Sequence, residues 1–167
     1  NATGGTSAYA YASVDSAIDQ SAYASNGAAT ATIANAATGV INVAATANAS
    51  GDLASAGAYV IGAEQFVAAS SSSSTAALSF SNAGTFNIDA NAGAAALSDG
   101  DASAYAIGLS QDAYGAAPSY TFTNSGSFTV DAVANADGTV SGSAGAFAAG
   151  YGAFNNNSPI DVTVSNS

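Results

Sequence analysis

Apolar and polar residues alternate with a period of two over most of the chain, and the same alternating phrases return along it. In TFNIDANAGA, Phe86, Ile88, Ala90 and Ala92 share one face, while Asn87, Asp89 and Asn91 share the other. Phe128, Val130, Ala132 and Ala134 stand in the same relation to Thr129, Asp131 and Asn135, as do Ile41, Val43, Ala45 and Ala47 to Asn42, Thr46 and Asn48. A period of two predicts β-strands. Bulky residues open each of these strands and Ala closes it, so the apolar face tapers. No segment keeps a convincing helical period.

A second strand precedes each of these. Tyr120, Phe122 and Asn124 share one face, and so do Leu78, Phe80 and Asn82, then Ala31, Ile33 and Asn35, then Val162, Val164 and Asn166. Each Asn is in phase with the apolar side. An inward amide is costly unless hydrogen-bonded. Identical amides stacked one per repeat would satisfy each other, which predicts a four-membered ladder of Asn35, Asn82, Asn124 and Asn166. A turn-initiating Asn bonded to its own backbone is the other reading. Gly39, Gly84 and Gly126 follow at a corner, where positive φ is expected. A third strand contains SAYAYAS, GAYVIG, SAYAIG or GAFAAG, set off by the turn signals SGD, SDGD and ADG.

The marks keep a common cadence. Asn35, Asn82, Asn124 and Asn166 are spaced 47, 42 and 42. Tyr11, Tyr59, Tyr105 and Phe147 are spaced 48, 46 and 42, and Gln20, Gln65 and Gln111 are spaced 45 and 46. The chain is therefore one array of about four repeats of 42–48 residues, approximately 1–47, 48–91, 92–134 and an incomplete 135–167. The expected fold is all-β: a β-solenoid, β-helix-like, with repeat stacked on repeat. Its core stack would align Ile41, Phe86 and Phe128, and beside them Val43, Ile88 and Val130. The rival is a two-sheet β-sandwich of consecutive hairpins, like a pilin subunit.

FTNSGSFTV and FSNAGTFNI resemble the repeats of secreted bacterial β-helical proteins, the autotransporter passengers and large exoproteins. The fuller unit, with SAYAYAS, AIDQSAYAS and IANAATGVINVAA, is similar to very long Ala-rich repeat proteins of Gram-negative bacteria. The resemblance covers nearly the whole chain. It implies a β-helical architecture, secretion, and an extracellular or cell-surface location.

Composition narrows the function classes. The 167 residues carry a formal charge of −11, with no Lys, Arg, His, Cys, Met or Trp. Phosphate recognition relies on Lys and Arg, so nucleic acid is not an expected partner. An anionic membrane surface is disfavoured for the same reason. No run of about 18 apolar residues predicts membrane insertion. NATGGTSAYAYA lacks a basic region followed by an apolar one, so a signal peptide is expected to be absent or removed. The lack of oxidisable residues and of trypsin sites suits a durable extracellular material; repeat duplication explains it equally.

Catalytic chemistry has few carriers. A Ser–His or Cys–His pair cannot be assembled. A carboxylate pair would have to come from ten Asp and Glu64, scattered in turns and on outward faces. No enzyme is expected and no cofactor, unless calcium. Asp99 and Asp101 in SDGD offer hard oxygen ligands, and Asp52 and Asp137 are read as occupying the equivalent turns. Solvated turn acids are the plainer reading. Tyr9, Tyr11, Tyr59 and Tyr105 form either a packing column or an exposed stripe for glycans. Asn1, Asn48 and Asn156 open glycosylation-type triplets, and Ser70–Ser74 read as a loop. The pairs Thr30/Thr32 and Thr121/Thr123 are faintly like ice-binding arrays.

The two ends carry one further expectation. A head-to-tail join of two copies would lack one strand of about nine residues. Either the sequence is a window on a longer array, or a neighbouring chain donates that strand. The expected function is a structural, self-assembling component of an extracellular bacterial filament, sheath or adhesin stalk, with the chain itself as partner through a homopolymer or a longer array. A repeat module binding glycans or calcium, and a functional amyloid, are the alternatives.

Overall fold

The computed structural model describes residues 1–70, 74–154 and 161–167. Among them there is no helix; eleven strands account for nearly everything. They are β1 (Ala2–Thr3), β2 (Ser7–Val14), β3 (Ile18–Ala24), β4 (Ala29–Asn35), β5 (Val40–Ala69), β6 (Thr75–Asn82), β7 (Thr85–Tyr114), β8 (Ala117–Asn124), β9 (Ser127–Gly138), β10 (Ser141–Phe154) and β11 (Asp161–Asn166).

Two sheets result. In the larger, β1, β2 and β3 lie end to end along β5, β5 pairs with β7, and β7 pairs with β9 and β10. In the smaller the order is β11-β8-β6-β4. Every pairing among the described strands is parallel. Parallel neighbours need a long crossover, and here the rest of each repeat supplies it. The chain thus makes four layers: β1–β4, β5–β6, β7–β8 and β9–β11. Consecutive hairpins, the expectation of the sandwich reading, are not how these repeats pair.

The register stacks like on like. Ile41 lies beside Phe86 and Phe86 beside Phe128; Val43 lies beside Ile88 and Ile88 beside Val130. Phe80 and Phe122 stack at 5.6 Å in the smaller sheet, and Phe86 and Phe128 at 5.1 Å in the larger. The two columns meet edge to face, Phe80 against Phe86 at 5.3 Å and 89°. Offset stacking along a column with T-shaped contact across it suits the ring quadrupoles.

Away from these rings the interior narrows as the sequence tapers. Ala45, Ala47 and Ala49 share a cluster with Ala54, Ala56 and Ala58. Only small side chains fit there, because the arms before and after the bend run close together; β9 and β10 approach within 8 Å between Cα atoms. Each Ala buries little area, so this arm relies on close packing over a long length.

Three expectations need correction. In the middle repeats the TFNIDANAGA-type strand and the third strand are not separated by a turn: β5 and β7 run through SGD and SDGD as single 30-residue strands. The Gly there marks a bulge. Asp52 alone lies between paired Gly51 and Leu53, while Leu97 and Ser98 lie between Ala96 and Asp99. One extra residue bends the ladder without ending it. Second, Gly39, Gly84 and Gly126 do not have positive φ; among the described residues only Gly27 does, at 93°. Crowding is what requires Gly at the corners. A Cβ on Gly84 would overlap the carbonyl oxygens of Gly39 and Ala36, and one on Gly126 would overlap that of Gly84. Third, Tyr11 is not in the column of Tyr59. It lies beside Gly57, and Ser13 lies beside Tyr59.

Candidate functional site

The features that distinguish this molecule are columns of side chains running through the layers. The Asn column is a hydrogen-bonded ladder. The Asn35 Nδ2 group donates to Asn82 Oδ1 at 2.8 Å, Asn82 to Asn124 at 2.7 Å, and Asn124 to Asn166 at 2.8 Å. Two of the amides also reach the Gly corner of the next layer: Asn35 donates to the Thr85 carbonyl at 2.9 Å and Asn82 to the Ser127 carbonyl at 2.8 Å. The ladder closes the corner between the two sheets. The corner Gly column leaves room for it, since a Cβ on Gly39 would overlap Asn35 Oδ1.

A second ladder, of Gln, serves inside. The Gln65 Nε2 group donates to Gln20 Oε1 at 2.9 Å, and that of Gln111 donates to Gln65 Oε1 at 2.7 Å. Gln65 also donates to the Ser79 carbonyl at 3.2 Å and Gln20 to that of Thr32 at 3.2 Å, which ties the larger sheet to the smaller. Gln65 and Gln111 are wholly buried. They form a polar seam between two apolar clusters, one around Phe80 and Phe86 and one around Val67, Leu78 and Tyr120. In the fourth layer Ala153 takes the Gln position, and Tyr151 donates its hydroxyl to Gln111 Oε1 instead, at 2.9 Å. Burial, then the neighbouring Tyr120, pushes the Tyr151 phenol up to about 12. The signal for this seam was in the sequence: Gln65 shares its face with Ala63 and Val67, in phase with the core. No buried side-chain nitrogen or oxygen among the described residues lacks a partner.

Aromatic columns occupy the outer face of the larger sheet. Tyr59 and Tyr105 stack at 5.1 Å and 6°, and Tyr105 and Phe147 at 4.7 Å and 14°. Tyr23, Phe66 and Tyr114 form a tilted column with 5.5 Å steps. In both, the inner ring lies between two neighbouring rings, while the end rings Tyr23 and Phe147 are exposed. Sugar stacking uses faces, so the inner rings Tyr105 and Phe66 serve packing. Tyr9 and Tyr11 stand apart on β2, largely exposed.

The acids are dispersed. Asp99 and Asp101 pair in register with Ser141 and Ser143, and the Ser141 hydroxyl donates to Asp99 Oδ1 at 2.6 Å. Asp137 lies beside Ala95 rather than beside Asp99 or Asp101, and Asp52 sits in the bulge. Asp52 and Asp137 line one shallow groove of about 540 Å³; Asp99 and Asp101 line another of about 360 Å³. Among the described residues, no group of three or more His, Cys, Asp or Glu is gathered as for a metal ion.

The remaining motifs have plain places. Thr32 and Thr121 flank Ser79 in one column, whereas Thr30 lies beside Ala77. Asn48 donates to Asn1 Oδ1 at 3.2 Å on the exposed side. Asn156 and Ser71–Ser73 lie outside the described residues. No helix among the described residues is long and apolar enough to cross a membrane. No protein-family model, no curated protein and no solved structure matches the chain.

Proposed function

We propose that this chain is a structural component of an extracellular bacterial filament, sheath or adhesin stalk, wound as a β-solenoid and assembling with copies of itself. One observation carries the reading: the Asn column stands in register through all four layers and each Phe column through two adjacent ones, so each layer is a template for the next. The Asn ladder, the Phe columns and the backbone pairing all repeat at the same step. Such an array adds layers without new chemistry, because the cost of each inward amide is met by the identical amide beside it.

The outer strands support the same reading. Among the described strands β11 pairs only with β8. Its Val162 and Val164 are exposed although they continue the columns of Tyr120 and Phe122, which are buried. A further in-register layer would cover them, by open strand edges or by a donated strand. The dispersed acids support a structural over a catalytic role, and leave calcium to a subsidiary one.

Electron microscopy of the purified chain, with and without a calcium chelator, tests this. Filaments with a regular axial repeat are expected in both conditions. Monodisperse single chains at all concentrations would sink the self-assembly reading, and screening against glycans would then follow.

A further inference from the structure

We propose that Tyr59 and Tyr105 form an oxidative cross-linking site, at which a peroxide-class oxidant joins the second layer to the third through a carbon–carbon bond between the two rings. The rings lie 5.1 Å apart, 6° from parallel, on residues directly paired between β5 and β7. Both are half-buried on an outer face, within reach of a small oxidant. The chain has no Trp, Cys, Met or His. Tyrosine is therefore the side chain on which a one-electron oxidant acts, with no softer residue to intercept it.

The balance is simple. Each phenol gives up one electron and one proton, and the two phenoxyl radicals couple through ring carbons ortho to the oxygens. The ortho hydrogens leave as protons, the oxygens regain protons, and both rings become aromatic again. The chain loses two hydrogens in all, and hydrogen peroxide is reduced to two waters. Burial, the Tyr105 ring, and the carboxylates of Asp15 and Glu64 hold the Tyr59 phenol above its ordinary range. It therefore starts protonated, and the proton leaves to solvent with the electron.

The other tyrosines are built differently, which makes the site selective. In the second column Phe66 stands between Tyr23 and Tyr114. Tyr9 and Tyr11 lie beside Ser55 and Gly57. The Tyr120 hydroxyl donates to the Phe154 carbonyl at 2.6 Å and that of Tyr151 to Gln111. Adjacent phenols stacked across a strand pair occur, among the described residues, only at Tyr59 and Tyr105. Held neighbours react as if highly concentrated.

The test uses the folded chain at high dilution, hydrogen peroxide and a haem peroxidase. Glu64 is the only Glu, so glutamate-specific cleavage of the unfolded product puts Tyr59 and Tyr105 on different fragments. The wild-type chain is expected to stay joined after cleavage and to show dityrosine fluorescence at single-chain mass. Tyr105→Phe keeps the ring stack, as Phe147 already does one layer on, and should lower the joined fraction by about ten-fold or more. Tyr59→Phe should do the same, and Tyr114→Phe should change nothing. Fragments that separate in the wild type, under conditions that couple free tyrosine, would overturn the proposal. So would joining in Tyr59→Phe and Tyr105→Phe that equals the wild type.

Discussion

Asn82 is the sharpest test of the Asn ladder. Its side chain is 1% exposed and makes four hydrogen bonds: one accepted from Asn35, and three donated, to Asn124 Oδ1, the Ser127 carbonyl and the Gly84 carbonyl. Asn82→Ala removes all four. The Asn35 amide keeps the Thr85 carbonyl, but Asn124 Oδ1 loses its donor in a buried place. A net loss of about 1 kcal/mol per bond, less for the long one, plus about 1 kcal/mol for the stranded oxygen, gives about 4–5 kcal/mol. For a chain of this size that lowers Tm by roughly 8–20 °C. Asn166→Ala is the control, since it removes one bond at an exposed position and should cost about 1 kcal/mol or less. Asn82→Asp keeps the shape and the acceptor for Asn35. It aims a carboxylate at three oxygens in a chain without Lys or Arg, and should destabilise more than Ala does. Thermal unfolding followed by circular dichroism reads all three. The reasoning fails if Asn82→Ala matches Asn166→Ala, or if Asn82→Asp is tolerated like the native residue.

Two further outcomes follow from the tyrosines and the acids. Burial raises the phenols of Tyr59, Tyr120 and Tyr151, the last to about 12 against an ordinary 10.0. The folded state then holds protons that the unfolded state has released, so their stabilising effect is complete below pH ~10 and is lost as pH rises toward ~12. Alkaline scans should show Tm falling across that window, with these three tyrosines titrating late by ultraviolet absorbance; a flat Tm would refute it. Asp89 lies directly beside Asp131, and Asp19 beside Glu64. Like charges so placed destabilise, so raising NaCl from about 10 to about 150 mM should raise Tm as the Debye length shrinks from ~30 to ~8 Å. Calcium chloride at equal ionic strength should do no more, and a calcium-specific increment would assign the turn acids a metal.

Much of this fold is written in recurrence. Phe86 and Phe128, or Asn82 and Asn124, sit at fixed spacing and fixed phase, and identical residues at identical phase have little choice but to align. The parallel pairing follows from that. Harder to read were features set by the backbone. Tyr11 resembles Tyr59 in its surroundings, yet the pairing of Ser7–Val14 along β5 places Tyr11 two residues earlier, over Gly57. The bulge at Asp52 depends on one extra residue in β7, which turn signals cannot distinguish from a true turn. The corner glycines are required by three-dimensional crowding from other layers, not by their own φ. The Gln seam was legible in phase and spacing, but its role of tying the sheets together depends on Ser79 and Thr32, distant in sequence.

The two buried ladders point in opposite directions. Along the Asn column each N–H points toward the later layer; along the Gln column each points toward the earlier one. A single file of aligned amides acts as a dipole whose end charges stay while its length grows, as in a helix. Two opposed files cancel, and parallel strands add little of their own. The two buried ladders thereby leave little net dipole along the stack. What one layer feels from the next is set instead by charge, by acids stacked on acids such as Asp89 on Asp131, so the solution ions and not the amides govern how the layers repel.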